Sequence, residues 1–220
     1  MIRGRLSQSH KAFKIVELFV VVGVVTVLVL LFASWSRASM ARSVRLCCVN
    51  SVKQCQLAFA IWAGDDHEGR FPMEVSDAMG GARESVTKGD VFRAFQVMSN
   101  ELSTTIVIAC PADTRYFKTF ATNFTDLNNQ NISYFVGLDA NTNNAHGWLC
   151  GDRNITNGFA SKHGVLTLQN GQTLSWTTEM HNQCGNVALA DGSVQQMSNR
   201  GLRRLMNTNA AWSNRIALPE

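Results

Sequence analysis

The sequence predicts an α+β fold: one long N-terminal helix packed on a head built around a small antiparallel β-sheet. Three observations carry this. Residues 15–33 form an apolar run with a single charge, Glu17. Residues 38–63 hold neither Pro nor Gly, and apolar side chains recur there at steps of three and four. The remainder is rich in Asn, Ser, Thr and Gly, with short candidate strands divided by turn signals.

The apolar run has the length for a bilayer crossing, which takes about 20 residues at about 1.5 Å rise each. An acid within such a run costs roughly 2.5–3.5 kcal/mol at the membrane centre and less near the edge, so Glu17 needs a partner. A basic leader with Arg3, Arg5 and Lys11 precedes it and favours a cytoplasmic N-terminus. A cleaved secretory signal fits less well, because its apolar core spans only about 7–15 residues. The S-W-S-R-A-S that follows also crowds any small-residue cleavage site with Trp35 and Arg37. The layout is a leader over 1–12, a membrane half-helix over 13–34, an amphipathic half over 35–64 and a head over 65–220.

In the second half of the helix, Ala41, Val44, Cys48, Val52, Cys55, Phe59 and Trp62 share one face. Either one helix runs through, or two meet at a bend near 34–39. Residues 74–89 read as a loop with room for a short helix. Asp90 suits an N-cap for a helix through Asn100, with Val91, Phe92, Phe95 and Met98 inward. Thr104–Ala109 and Ile132–Leu138 read as strands. Val165–Leu168 and Thr173–Thr177 flank Asn-Gly-Gln, a hairpin signal, and Asn186–Ala190 and Ser193–Met197 flank Asp191-Gly192, a stronger one. A short helix over 199–206 follows.

The net charge is +4, and the three basic leader residues leave the remainder at +1. No basic patch marks a nucleic-acid footprint. Six cysteines, Cys47, Cys48, Cys55, Cys110, Cys150 and Cys184, allow 15 pairings. An exported head favours disulfides. Cys48 and Cys55 lie on the face that meets the head, so each can reach a head cysteine. A bond such as Cys48 to Cys110 would stabilise by about 2–4 kcal/mol. Cys47 points elsewhere, and buried thiols acting as small apolar groups are the alternative.

His181 and Asp191 are the residues most suggestive of chemistry, being half of a general-base arrangement. No Ser in a strand-to-helix elbow accompanies them. The reading is structural: Asp191-Gly192 makes a turn, and His181 caps a strand or bonds a carbonyl. His181 and Cys184 form half of a zinc pattern with no second close-spaced pair, so no metal site is assigned. Asp126, Asp139 and nearby Asn residues offer oxygen ligands to Ca2+ without the fixed spacing of a calcium loop, and Ca2+ is the one cofactor kept in view.

Ala12, Phe13 and Glu17, followed by the apolar Leu18–Phe32, resemble the N-terminus of type IV prepilins and the pseudopilins of type II secretion. The family usually has Gly where this chain has Ala12. Further on, H-N-Q-C-G-N-V-A-L-A-D-G from His181 to Gly192 is similar to the His-x9-Asp-Gly prepilin-type group of planctomycetes and verrucomicrobia. C-V-N-S-V-K-Q at 48–54, C-P-A-D at 110–113 and I-S-Y at 132–134 are similar to the same group.

The resemblance implies a pilin-like fold and cleavage by prepilin peptidase between Ala12 and Phe13, with methylation of the Phe13 amine. It implies packing with other pilin-like subunits, Glu17 neutralising a neighbour's amine. The expected protein is a structural filament subunit rather than an enzyme, in type II secretion or a type IV pilus. It would be single-pass in the bacterial inner membrane, with its head periplasmic or on a cell-envelope filament. The rival expectation is a membrane-tethered binding domain that does not polymerise.

Overall fold

The computed structural model describes residues 15–65, 67–115, 120–159, 161, 163–168, 172–208 and 214–220. Two compact units are present, the first ending at Ser43 and the second running from Val44 to Glu220. Helix α1 (Ile15–Gly64) is a single α-helix of 50 residues that contributes to both.

In the first unit, Ile15–Ala33 is a 19-residue stretch of mean hydropathy 3.0, long and apolar enough to cross a membrane. Its side chains are exposed throughout, Glu17 in the first turn among them. The leader and the expected cleavage residues Ala12 and Phe13 lie outside the described residues.

In the second unit, the remaining turns of α1 bury the face that the periodicity marks. Cys48, Val52, Cys55 and Phe59 are wholly inaccessible, and Trp62 nearly so. Short elements follow: α2 (Arg83–Thr87), α3 (Phe92–Val97) and α4 (Ser99–Leu102). Among the described residues eight strands come next: β1 (Tyr134–Gly137), β2 (Trp148–Asp152), β3 (Ile155–Thr156), β4 (Val165–Leu168), β5 (Ser175–Trp176), β6 (Cys184–Leu189), β7 (Val194–Ser198) and β8 (Asn214–Ala217). Helix α5 (Asn199–Thr208) lies between β7 and β8. Six strands form one sheet in the order β4-β8-β1-β2-β6-β7, every neighbouring pair antiparallel. Strands β3 and β5 pair separately. The chain is thus mixed helix and antiparallel sheet with an N-terminal apolar helix, an α+β architecture.

The sheet is covered on both faces, which follows from the alternation of side chains along a strand. Tyr134 and Val136 on β1, Ala188 on β6 and Ala217 on β8 join the core built around α1. Phe135, Val187, Leu189 and Ile216 join a second core with Leu166, Leu168, Trp176 and Leu202 of α5. On β2 a bulge between Trp148 and Cys150 interrupts the alternation, so Trp148 serves the second core while Leu149 and Cys150 serve the first. Gly137 is required where β1 meets β2, because a Cβ there would lie 1.7 Å from the Trp148 carbonyl oxygen.

Three expectations are corrected. Thr104–Ala109 is not a strand. Thr105–Ile108 is a 3-10 turn, started by the Thr104 hydroxyl accepting from the Ile106 N–H at 3.3 Å, a local bond that competes with strand pairing. The helix expected from Asp90 to Asn100 breaks at Met98 into α3 and α4, and Val91 rather than Asp90 precedes its first turn. The segments 165–168 and 173–177 are not each other's hairpin partners. Val165–Leu168 pairs with β8, where four registered pairs sink Leu166 and Leu168 into the second core, and Ser175–Trp176 pairs with β3. Their connecting residues 169–171 lie outside the described residues. Strands β2, β3 and β8 were not expected. The Asp191-Gly192 hairpin forms between β6 and β7.

Candidate functional site

Three of the residues singled out from sequence, Cys48, Cys110 and His181, meet in the interior of the second unit. Cys48, on the buried face of α1, is joined by a disulfide to Cys110, with Cα atoms 5.6 Å apart across a separation of 62 residues. His181 closes on the same spot. Its Nε2 lies 3.4 Å from Cys110 Sγ and 3.6 Å from an Asp152 carboxylate oxygen, and its side chain is only 2 % exposed. The loop after His181 turns sharply because Asn182 and Gln183 both take the left-handed conformation, with φ of 51° and 61°. The Gln183 N–H then donates to the Thr177 carbonyl at 3.1 Å. Arg45 Nη2 donates to the His181 carbonyl at 3.4 Å, a further tie to α1.

Asp152, at the end of β2, has no exposed side-chain surface. Its Oδ2 accepts from the Asn186 backbone N–H at 2.8 Å and from the Asn186 side-chain amide at 2.9 Å. Its Oδ1 is buried without a hydrogen-bond partner. Burial pushes the carboxyl up to about 7, against the opposing pull of the two Asn186 donors. Burial, helped by the charge of Arg45, pushes His181 below its ordinary value and favours the neutral ring.

Asp191 is not the partner of His181. It sits exposed in the β6–β7 turn, where its Oδ1 accepts from the Ser193 N–H at 2.8 Å. Gly192 has φ 90°, a conformation glycine adopts without Cβ strain. The Gly192 N–H donates to the Leu189 carbonyl at 3.1 Å. The nine-residue spacing therefore separates an interior histidine from the turn that closes its own strand pair.

The 110–113 and 132–134 segments also meet. Ser133 Oγ donates to Asp113 Oδ2 at 2.9 Å, and the Ser133 N–H donates to the Ile108 carbonyl at 3.0 Å. Arg153, adjacent to Asp152, holds both oxygens of Asp113 and reaches Glu179 at 2.8 Å. Arg115 stands 3.6 Å from Asp113.

The other cysteines stay apart from this bond. Cys55 is buried, its thiol 3.7 Å from the Val107 carbonyl, and Cys150 is buried on β2. Burial raises both thiols well above their ordinary range, which makes them poor nucleophiles. Cys184 is half-buried and Cys47 exposed, both as free thiols. Asp139, one of the candidate calcium ligands, is engaged by Arg215 at 2.6 and 3.1 Å. Asp126 accepts from Thr125 at 3.2 Å and Asn123 at 3.4 Å.

Sequence reasoning missed Asp152, Asn186, Arg153 and Arg45. Only the first left a trace, an acid inside the otherwise uncharged W-L-C-G-D. Chemically the cluster holds a neutral imidazole, a carboxylate of raised proton affinity and a disulfide, all shielded from water. Such an arrangement clasps and positions.

No protein-family model matches the chain, and neither a curated protein nor a solved structure matches it. The fold and the cluster define the class at this level: an α+β protein with one apolar N-terminal helix and a disulfide tying that helix's second half to its sheet-bearing head.

Proposed function

We propose that the chain is a pilin-like structural subunit, anchored by Ile15–Ala33 in the inner membrane and assembled through its helix into a cell-envelope filament. The observation that carries the reading is Glu17, a lone acid in the first turn of a 19-residue apolar stretch. A carboxylate in hydrocarbon calls for a cationic partner. An amine freed by cleavage before Phe13 supplies one, four residues away on its own helix or on that of a neighbour. The continuation of α1 into an amphipathic segment fastened to the head supports a stem that transmits load.

In this reading prepilin peptidase is the enzyme and the chain its substrate. The head lies on the periplasmic side or along a filament of type II secretion or type IV pilus kind. Subunits join head-to-tail through contacts that repeat without closing.

The test is N-terminal sequencing of membrane-extracted protein together with Glu17→Ala. A mature start at Phe13, and loss of filament incorporation in Glu17→Ala with membrane insertion kept, support the proposal. A chain that still begins at Met1, or Glu17→Ala behaving as wild type, overturns it and favours a tethered binding domain.

A further inference from the structure

Among the described residues, one group of three metal-ligating side chains can reach a single ion: Cys48, Cys110 and His181, whose ligand atoms lie within 4.8 Å of one another, all buried. One distance within the group, and one from it to Asp152, match a coordination sphere. On a tetrahedral zinc, bonds of about 2.3 Å to sulfur and about 2.0–2.1 Å to nitrogen place those two ligand atoms about 3.6 Å apart. Cys110 Sγ and His181 Nε2 are 3.4 Å apart. Nitrogen and carboxylate oxygen on the same ion stand about 3.4 Å apart. His181 Nε2 and Asp152 Oδ2 are 3.6 Å apart. The two sulfurs would have to separate, to about 3.8 Å, and the Asp152 carboxylate, which stands outside the group of atoms within 4.8 Å of one another, would have to swing towards them.

A second observation points the same way. Asp152 is a completely buried carboxylate with one oxygen lacking any hydrogen-bond partner, and the His181 imidazole stands 3.6 Å from its other oxygen. Burying a charge without a counter-charge is costly, and a divalent cation at Nε2 would compensate it directly. The second shell is also in place, since Asn186 fixes the carboxylate through two hydrogen bonds.

We infer that Cys48, Cys110 and His181 hold a zinc ion in the thiol state of the protein, with Asp152 swinging in from beside His181 as the fourth ligand, the ion and the disulfide being alternative closures of one clasp between α1 and the head. Two thiolates, one imidazole and one carboxylate suit Zn2+ in a closed structural site. Conversion is balanced. A dithiol reductant gives two electrons and two protons to the Cys48–Cys110 bond, yielding two thiols and an oxidised cyclic disulfide. Zn2+ then displaces the two thiol protons. The inference is independent of whether the chain polymerises.

The full chain in detergent, reduced with a phosphine and stripped of metal, is titrated with Co2+ as a spectroscopic stand-in for Zn2+. The expected result is one ion per chain, with sulfur-to-cobalt charge-transfer bands and the intense visible bands of tetrahedral cobalt, displaced by Zn2+. The oxidised chain should take up none. Cys47→Ser with Cys184→Ser should bind as wild type, because neither thiol belongs to the group. Asp152→Asn should weaken binding about tenfold or more while leaving the sulfur-to-cobalt bands, and Cys110→Ser or His181→Ala should lose the tetrahedral spectrum. The wild-type titration needs no variant to fold. A reduced wild-type chain that takes up no cobalt overturns the inference. So does uptake that survives His181→Ala and Cys110→Ser, or that disappears in the Cys47→Ser, Cys184→Ser chain.

Discussion

The Arg153 guanidinium holds the Asp113 carboxylate by two hydrogen bonds, Nε to Oδ2 at 2.7 Å and Nη2 to Oδ1 at 2.8 Å. Both side chains are largely out of solvent, Asp113 at 1 % and Arg153 at 14 % exposure. Geometry of this kind is the strong form of an ion pair. It joins the loop after Cys110 to the end of β2, directly beside Asp152.

Acid should loosen this joint. Burial alone would raise the Asp113 carboxyl, but hydrogen bonds from Arg153 and from the Arg115 N–H, with the charges of both arginines, prevail and hold it at about 2 against an ordinary 3.8. The folded state therefore favours the ionised form. That contribution is complete above about pH 4 and fades as pH falls towards 2, a loss of about 2 kcal/mol. Urea midpoints at pH 2 and pH 5 should differ less in Asp113→Asn than in wild type.

Breaking the covalent clasp should lower stability by about 2–4 kcal/mol. Cys48→Ser and Cys110→Ser should unfold at similar denaturant concentrations, and dithiothreitol with EDTA should bring wild type down to match them. Cys47→Ser, which removes an exposed free thiol, should leave the midpoint unchanged.

Gly137→Ala should disrupt the β1–β2 pairing. The added methyl would meet a backbone carbonyl 1.7 Å away, and neither strand can retreat while both faces are packed. A cost of about 1–3 kcal/mol or more is expected. Thermal unfolding measures it, and Gly23→Ala, with nothing within 4 Å of its added Cβ, serves as the control.

Truncating the stem's buried ring should be far worse than truncating its exposed neighbour. Phe59 packs edge-on against Phe71 at 6.2 Å and against Phe95 at 6.0 Å. Phe59→Ala should cost about 3–5 kcal/mol. Leu57→Ala, at a position 55 % exposed, should stay within about 0.5 kcal/mol in solubilised single chains.

Several features were legible in the chain because they are local. The apolar stretch, the buried face through Cys48, Val52, Cys55 and Phe59, the Asp191-Gly192 turn and the helix after β7 all follow from periodicity or turn chemistry within a few residues. Strand β2 escaped because every one of its residues is buried, so W-L-C-G-D shows no alternation of polar and apolar side chains. Strand β8 escaped because its partners, β1 and β4, lie far away in sequence. The Asn-Gly-Gln segment misled because local turn chemistry says nothing about a competing strand, here β8, which takes the pairing edge of β4.

By itself the sequence determined that a membrane-length helix carries one acid and continues into a face that must be buried, since side-chain hydrophobicity and the 3.6-residue repeat demand it. Tertiary structure alone decided which of 15 cysteine pairings puts Cys48 against Cys110. It alone placed His181 beside Asp152 rather than Asp191. Those choices depend on how the sheet stacks residues dozens of positions apart, and no local propensity encodes that stacking.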